Sequence, residues 1–238
     1  MKKIFIVFLL AIFSKNTFAE KITAESWLVA NEEGTVIQGS NINVIRSIAS
    51  ITKLMTAIVV LDAEQDLDHF IKPYTRKELI QLSIVRSDNR ASEILCQHYP
   101  GGRENCVKAM NAKARALGMK DTKFVDPTGL GVMNVSTAVD LIKLVTVSKE
   151  YNLIVESSKM SEVKIQLRKK WLIFPNTNPL IGKRHEFLIS KTGYIRASGG
   201  CIVMMLDTDI GRKIVVVLGS KNTKTRIPEA EFIAKITD

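Results

Sequence analysis

Helix-like and strand-like periodicities are segregated along this chain, and their order limits the fold more than any one motif does. Near the start, "SWLVANEEGTVIQGS" reads as a β-hairpin turning at residues 31–34. A helix follows that begins with Ser50. "TRKELIQLSIV" opens with a capping box, Thr75 to Glu78, and keeps helical periodicity to Val85. After the polar break Ser87-Asp88-Asn89, helices are expected at 91–98 and 104–117, the second stopped by Gly118. "FVDPTGL" is a loop, and the next helix spans 137–148 with Ser136 as its cap. The pattern then changes. "SEVKIQL" alternates, "EFLISKTGYI", "GGCIVMML" and "KIVVVLGS" are strand-like, and "PEAEFIAKI" closes the chain as a helix with proline in its first turn. Two strands, a run of helices, three strands and a helix fit an α/β (α+β) domain. Its antiparallel sheet has about five strands drawn from both chain ends, flanked by helices, with a helical lobe inserted. A site belongs in the cleft between sheet and lobe.

The 238 residues suit one domain, or two lobes sharing a core, and a composition 46% hydrophobic and 24% charged excludes wholesale disorder. Residues 1–19 read as a secretory leader: Lys2 and Lys3, an apolar run from residue 4 to 13, then Thr17-Phe18-Ala19, with cleavage expected after Ala19. The apolar run is too short for an ordinary membrane span, and no later stretch is long enough for one. The leader carries Lys2, Lys3 and Lys15 and no acid, so its removal takes the net charge from +10 to +7. A basic exported protein suits an anionic polymer or membrane surface, or simply a solvated basic surface. Nucleic acid is not an expected partner, because no basic–aromatic motif is present. In an oxidising compartment Cys96 and Cys106 can pair across the Pro100-Gly101-Gly102 turn, leaving Cys201 buried in a strand. His69, His98 and His185 show no metal-ligand spacing, and no cofactor is called for.

Within "SIASITKLMTAIVVLD" one residue breaks the apolar stripe. Ser50, Lys53, Ala57 and Leu61 fall on one side of a helix, so Lys53 sits where burial is costly unless the amine is paired or neutral. Ser50 lies one turn back on the same face. A serine hydroxyl needs a base beside it to act as a nucleophile, and a desolvated lysine can be that base. Taken alone, the pair reads first as a capping serine and a snorkelling lysine, and the chain holds a second Ser-x-x-Lys at Ser161 and Lys164. That copy lies in an alternating stretch where i and i+3 point to opposite faces. Two further motifs accompany the first pair: Ser87-Asp88-Asn89 between helices of the lobe, and Lys191-Thr192-Gly193 on a late strand.

Ser50-x-x-Lys53, Ser87-x-Asn89 and Lys191-Thr192-Gly193, in this order and on these elements, resemble the signature of the serine penicillin-recognising enzymes. The resemblance covers essentially the whole of residues 20–238 and implies a single β-lactamase/transpeptidase-like domain. It implies Ser50 as acylated nucleophile, Lys53 as proton acceptor, and Ser87 as relay to the leaving amine. Asn89 would bind the substrate's amide, Lys191 and Thr192 its carboxylate. Gly193 would admit the backbone, with the N–H groups of Ser50 and Tyr194 forming the oxyanion hole.

The glutamate loop of class A β-lactamases, Glu-x-x-Leu-Asn, is missing, and Ser-x-Asn is not the Ser-x-Val of class D. With "RSDNRAS", "YPGG", "KAMNAKA", "DPTGL", "VSTAVDL" and "NTNPL", the chain is similar to the D-alanyl-D-alanine endopeptidase branch of the low-molecular-mass penicillin-binding proteins. That implies a periplasmic hydrolase of D-Ala–diaminopimelate cross-bridges in peptidoglycan, trapped by β-lactams, with no metal. The alternatives are a D-Ala-D-Ala carboxypeptidase, a penicillin-binding sensor and a β-lactamase. Asp126-Pro127-Thr128-Gly129-Leu130 and Asn176-Thr177-Asn178 are expected along the cleft or as plain turns.

Overall fold

The computed structural model describes residues 22–183 and 186–236; the leader expected at 1–19 and His185 lie outside them. β1 (Ser26–Asn31) and β2 (Val36–Ser40) form the expected hairpin, its turn closed by the Asn31 side chain accepting from Thr35 N at 2.8 Å. β3 (Arg46–Ser47) leads into a 3₁₀ turn, Ala49–Ile51, and then α1 (Thr52–Asp62). Ser50 therefore sits in the 3₁₀ turn and does not begin the helix. β4 (Phe70–Ile71) and β5 (Tyr74–Thr75) precede α2 (Arg76–Gln81), which opens with the Thr75–Glu78 capping box and runs on as a π turn, Leu82–Arg86. α3 (Asn89–Gln97) and α4 (Gly102–Ala116) are joined by a Cys96–Cys106 disulfide.

β6 (Val135–Ser136) pairs with β3. α5 (Ala138–Ser148) is capped by Thr137, not Ser136: Thr137 is extended and accepts from Asp140 N at 3.1 Å, whereas the Ser136 hydroxyl, inside β6, is taken by Thr122. α6 (Asn152–Lys159) was not expected; its short polar sequence is held by Leu153, Ile154, Ser157 and Ser158 on one buried face. β7 (Glu162–Leu167) joins β8 (Lys170–Pro175) in a hairpin apart from the main sheet, and β8 escapes the strand pattern because "KWLIFP" does not alternate. β9 (Phe187–Ile195), β10 (Gly199–Thr208), β11 (Gly211–Ser220) and α7 (Arg226–Ala234) complete the chain.

The main sheet is antiparallel in the order β2-β1-β11-β10-β9, five strands from both ends of the chain. Leu28, Ala30, Val203, Met205, Val216 and Leu218 face the large core beneath α1 and α5. Trp27, Val29, Ile202, Met204 and Val217 face Ile227, Ala230 and Ile233 of α7. With both faces covered, β10 and β11 read as continuous apolar runs. Every residue of α1 from Thr52 to Val60 is buried. A helix packed on all sides is apolar all round, so any polar group within it must find its partners inside the protein.

Candidate active site

Lys53, 0% exposed, is that polar group. Its Nζ lies 2.7 Å from Ser50 Oγ and 2.8 Å from Asn89 Oδ1, and it donates to the Thr128 carbonyl. A neutral amine has two N–H groups and one lone pair. Asn89 Oδ1 and the Thr128 carbonyl accept the two N–H groups, which leaves the lone pair for the Ser50 hydroxyl proton. Burial lowers the Lys53 pKa from 10.5 to about 7, against the opposing pull of Asp126 and Asp88. Near neutral pH a substantial fraction of the amine can therefore accept a proton.

The backbone around Ser50 is tightly specified. Ala49, directly before it, holds φ +46°, a left-handed conformation costly for a residue with a Cβ. Gly129, at φ +83°, packs so closely that an added Cβ would stand 1.9 Å from the Ala49 carbonyl oxygen and 2.9 Å from Ser50 N. Gly193 of β9 approaches from the other side, where a Cβ would stand 3.0 Å from Ser50 N and from the Ile48 carbonyl. Side chains at 129 or 193 would displace the turn that carries the hydroxyl.

Asp126 places the Thr128 carbonyl. Its carboxylate accepts from Thr128 N and Oγ1 at 2.7 Å, Gly129 N and Gly131 N at 2.8 Å, and Asn134 Nδ2 at 2.6 Å. Burial pushes the Asp126 carboxyl up, but the hydrogen bonds from Thr128, Gly129 and Gly131 outweigh it and hold the group below the usual carboxylate range. On the lobe side, the π turn ends at Ser87, which takes φ +61°, and Asp88 then caps α3 by accepting from Ala91 N at 2.8 Å. This sharp exit brings Asn89 to Lys53. The Asn89 amide N–H₂ has no protein partner among the described residues, and neither does the Ser87 hydroxyl, so Ser87 joins neither Ser50 nor Lys53 directly.

The third wall is β9. Thr192 Oγ1 donates to Thr177 Oγ1 at 2.7 Å, and Thr177 N donates to the Val85 carbonyl, tying β9 to the π turn of the lobe. Lys191 is 1% exposed and donates to the Thr192 carbonyl at 3.0 Å. Burial holds its amine well below the usual lysine range, with Lys53 and Arg226 adding like-charge repulsion. Arg226, the first residue of α7, donates from a guanidinium N–H to the Gly193 carbonyl at 2.7 Å. Tyr194 is 47% exposed, and its backbone follows Gly193 alongside the Ser50 turn. Arg226 lies on this wall, and an anionic group entering beside it would favour the charged form of Lys191.

Ser50, Lys53 and Asn89 are thus brought into direct contact, and Lys191, Thr192, Gly193 and Tyr194 line the facing strand. Sequence patterning missed Asp126 as an anchor, the Thr128 carbonyl, and Arg226, which lies before the expected helix "PEAEFIAKI". Asn178 proves to be a turn-former, donating to Ser190 Oγ at 2.9 Å. A cleft of about 570 Å³ lined by Asn111, Arg115, Lys120 and Thr122 contains none of these groups.

A family profile described as peptidase S11, D-alanyl-D-alanine carboxypeptidase, matches residues 13–72 and 67–222. The D-alanyl-D-alanine endopeptidase of Pseudomonas aeruginosa is 37% identical over 235 residues, 89% of this chain and 76% of that protein. The Escherichia coli D-alanyl-D-alanine endopeptidase is 39% identical over 208 residues, 78% of this chain and 67% of the other. The crystal structure of penicillin-binding protein D2 from Listeria monocytogenes, with cefotaxime bound, superposes with a TM-score of 0.78 at 26% identity, covering 89% of this chain and 96% of that one.

Proposed function

Because this chain belongs to the peptidase S11 family and is a serine D,D-peptidase, we propose that it hydrolyses D-Ala–diaminopimelate cross-links of peptidoglycan through an acyl-enzyme on Ser50. The observation that carries this reading is the buried Lys53 amine, 2.7 Å from Ser50 Oγ with its pKa brought to about 7. Ser50 Oγ attacks the D-alanine carbonyl carbon while its proton passes to the Nζ lone pair of neutral Lys53. The oxyanion that forms meets the N–H groups of Ser50 and Tyr194. As the C–N bond breaks, the leaving amine takes that proton, the Ser87 hydroxyl relaying it once bound substrate bridges the gap between Ser87 and Lys53. Water then attacks the ester, again giving its proton to Lys53, and frees the D-alanine carboxylate and Ser50.

The substrate carries a free carboxylate beside the scissile bond, which suits Arg226 and the Thr192 hydroxyl and would draw a proton onto Lys191 as it binds. Asn89, with its amide N–H₂ unused, is set to donate to the acyl chain's carbonyl. β-Lactams present a similar carbonyl and carboxylate and are expected to trap Ser50. The leader at 1–19 would deliver the enzyme to the periplasm, and among the described residues no helix is long and apolar enough to cross a membrane. The preference for cross-links rests on the two endopeptidase relatives; removal of terminal D-alanine is the second reading, favoured by the description of the family.

The deciding experiment offers a cross-linked muropeptide dimer and a pentapeptide monomer together, with Ser50→Ala as control and mass spectrometry as readout. Dimer split to monomers supports the endopeptidase. Loss of terminal D-alanine alone makes the chain a carboxypeptidase. No turnover with Ser50 still acylated by penicillin would turn the protein into a sensor.

A further inference from the structure

The β7–β8 hairpin presents an outer face that is left exposed among the described residues. Its inner face roots it: Val163 and Ile165 are buried, and Phe174 packs on the core. On the outer face the register sets Gln166 beside Trp171 and Lys164 beside Ile173. Trp171 is 62% exposed, Ile173 55% and Leu172 37%. Leu172 lies opposite Ile165 and turns to the inner face, so the outer apolar pair is Trp171 and Ile173. Single exposed apolar residues are ordinary, but a tryptophan and an isoleucine on the same face of one edge strand make a patch. The turn between the strands is Arg168-Lys169, with Arg168 at φ +57°, and Lys170 opens β8. All three basic residues are exposed and none makes an ion pair among the described residues, whereas Lys164 pairs with Glu162. Residues 163–185 contain no Asp or Glu and six Lys or Arg.

We propose that the tip of this hairpin docks on an anionic phospholipid bilayer. Tryptophan gains at the headgroup boundary, where its ring is half apolar and its N–H stays wet. Ile173 gains only where an acyl phase receives it, which a hydrated polysaccharide or peptide network does not offer. Arg168, Lys169 and Lys170 reach lipid phosphates with their charged ends while their stems lie along the apolar boundary. The same lysines on an edge strand also deter edge-to-edge pairing, and that reading predicts no lipid binding at all. One hairpin supports weak, reversible attachment. Two residues beyond β8, Thr177 bonds to Thr192 and to the π turn that ends at Ser87, so the tip stands about 20 Å from the site wall along β8. Docking would hold the catalytic seam that distance above the bilayer.

The test is co-sedimentation of the chain from residue 20 onward, which contains every described residue without the apolar leader. The vesicles are phosphatidylcholine with or without phosphatidylglycerol, at low and high salt. The expected result is partition to phosphatidylglycerol vesicles and a blue shift of Trp171 emission, lost in Trp171→Phe, since Trp27 is buried. Trp171→Ser with Ile173→Ser, and separately Lys169→Glu with Lys170→Glu, should each weaken partition roughly tenfold or more. Acylation by a labelled penicillin should be unchanged in both, which separates this inference from the catalytic reading and confirms folding. Failure of the parent chain to bind vesicles would overturn the proposal. So would salt-sensitive binding indifferent to Trp171→Ser with Ile173→Ser, or partition to purified sacculi alone.

Discussion

Ser50–Lys53 and Ser161–Lys164 share one spacing and have opposite fates. In the first, a 3₁₀ turn flowing into α1 puts the amine 2.7 Å from the hydroxyl, inside a helix buried on every side. In the second, Ser161 precedes β7 and Lys164 points into solvent, its side chain 59% exposed and paired with Glu162 at 3.1 Å. The difference teaches that spacing becomes chemistry only through the backbone conformation that carries it and the burial around it. A solvated lysine keeps its proton at neutral pH. A buried one gives it up because the charged form has lost its water.

The contrast can be broken most directly by removing the hydroxyls. Ser50→Ala should abolish covalent labelling by a fluorescent penicillin, while Ser161→Ala labels like the parent; label retained in Ser50→Ala would end the assignment. Next comes the base: Lys53→Met should slow acylation by about 10²–10⁴-fold, and Lys164→Met should leave it unchanged. A fully active, folded Lys53→Met would make the buried lysine purely structural.

A smaller effect sharpens the electrostatic part of the comparison. Acylation in the parent should rise with pH through about 7 as Lys53 loses its proton. The Asp126 carboxylate favours the charged amine, so Asp126→Asn should move that limb to lower pH in a labelling-rate profile, along with some loss of rate as Thr128 loosens. A limb that stays put would mean that another group controls it.

The smallest effect is on stability. The folded-state pKa of Lys53 is about 7 and its ordinary value is 10.5, so between those values the unfolded chain binds more protons. Stability from this residue therefore rises as pH climbs through that window, and its burial is most costly below about pH 7. Lys53→Met should raise Tm by several degrees near pH 6, with the gain shrinking toward pH 10; Lys164→Met should show no such trend.

Much of this molecule was legible because periodicity and burial coincide. The five-stranded sheet, the Thr75–Glu78 capping box and the Ser50–Lys53 face express themselves in side-chain patterns, whereas the sequence allowed the Cys96–Cys106 pairing without fixing its geometry. What escaped reading depends on the backbone. The Thr128 carbonyl that accepts from Lys53 carries no residue identity, and Asp126 matters because it fixes that carbonyl. Arg226 reaches the Gly193 carbonyl across a sequence gap that no local period spans. α6 was missed for a different reason: it takes its conformation from the surface it packs on, against weak local preference, while β8 was missed because "KWLIFP" does not alternate.

The pairing of β1 with β11 also sets a schedule. Trp27 lies opposite Val217, 190 positions away, and the Gly193 wall that flanks Ser50 belongs to β9, which reaches β1 only through β10 and β11. A chain emerging amino-terminus first holds Ser50 and Lys53 early, yet has no third wall until nearly all of it is out. Contacts this distant fold late. A chain cut short before β11 would lack the strand that joins β9 and β10 to β1, and is expected to show no labelling of Ser50 by penicillin.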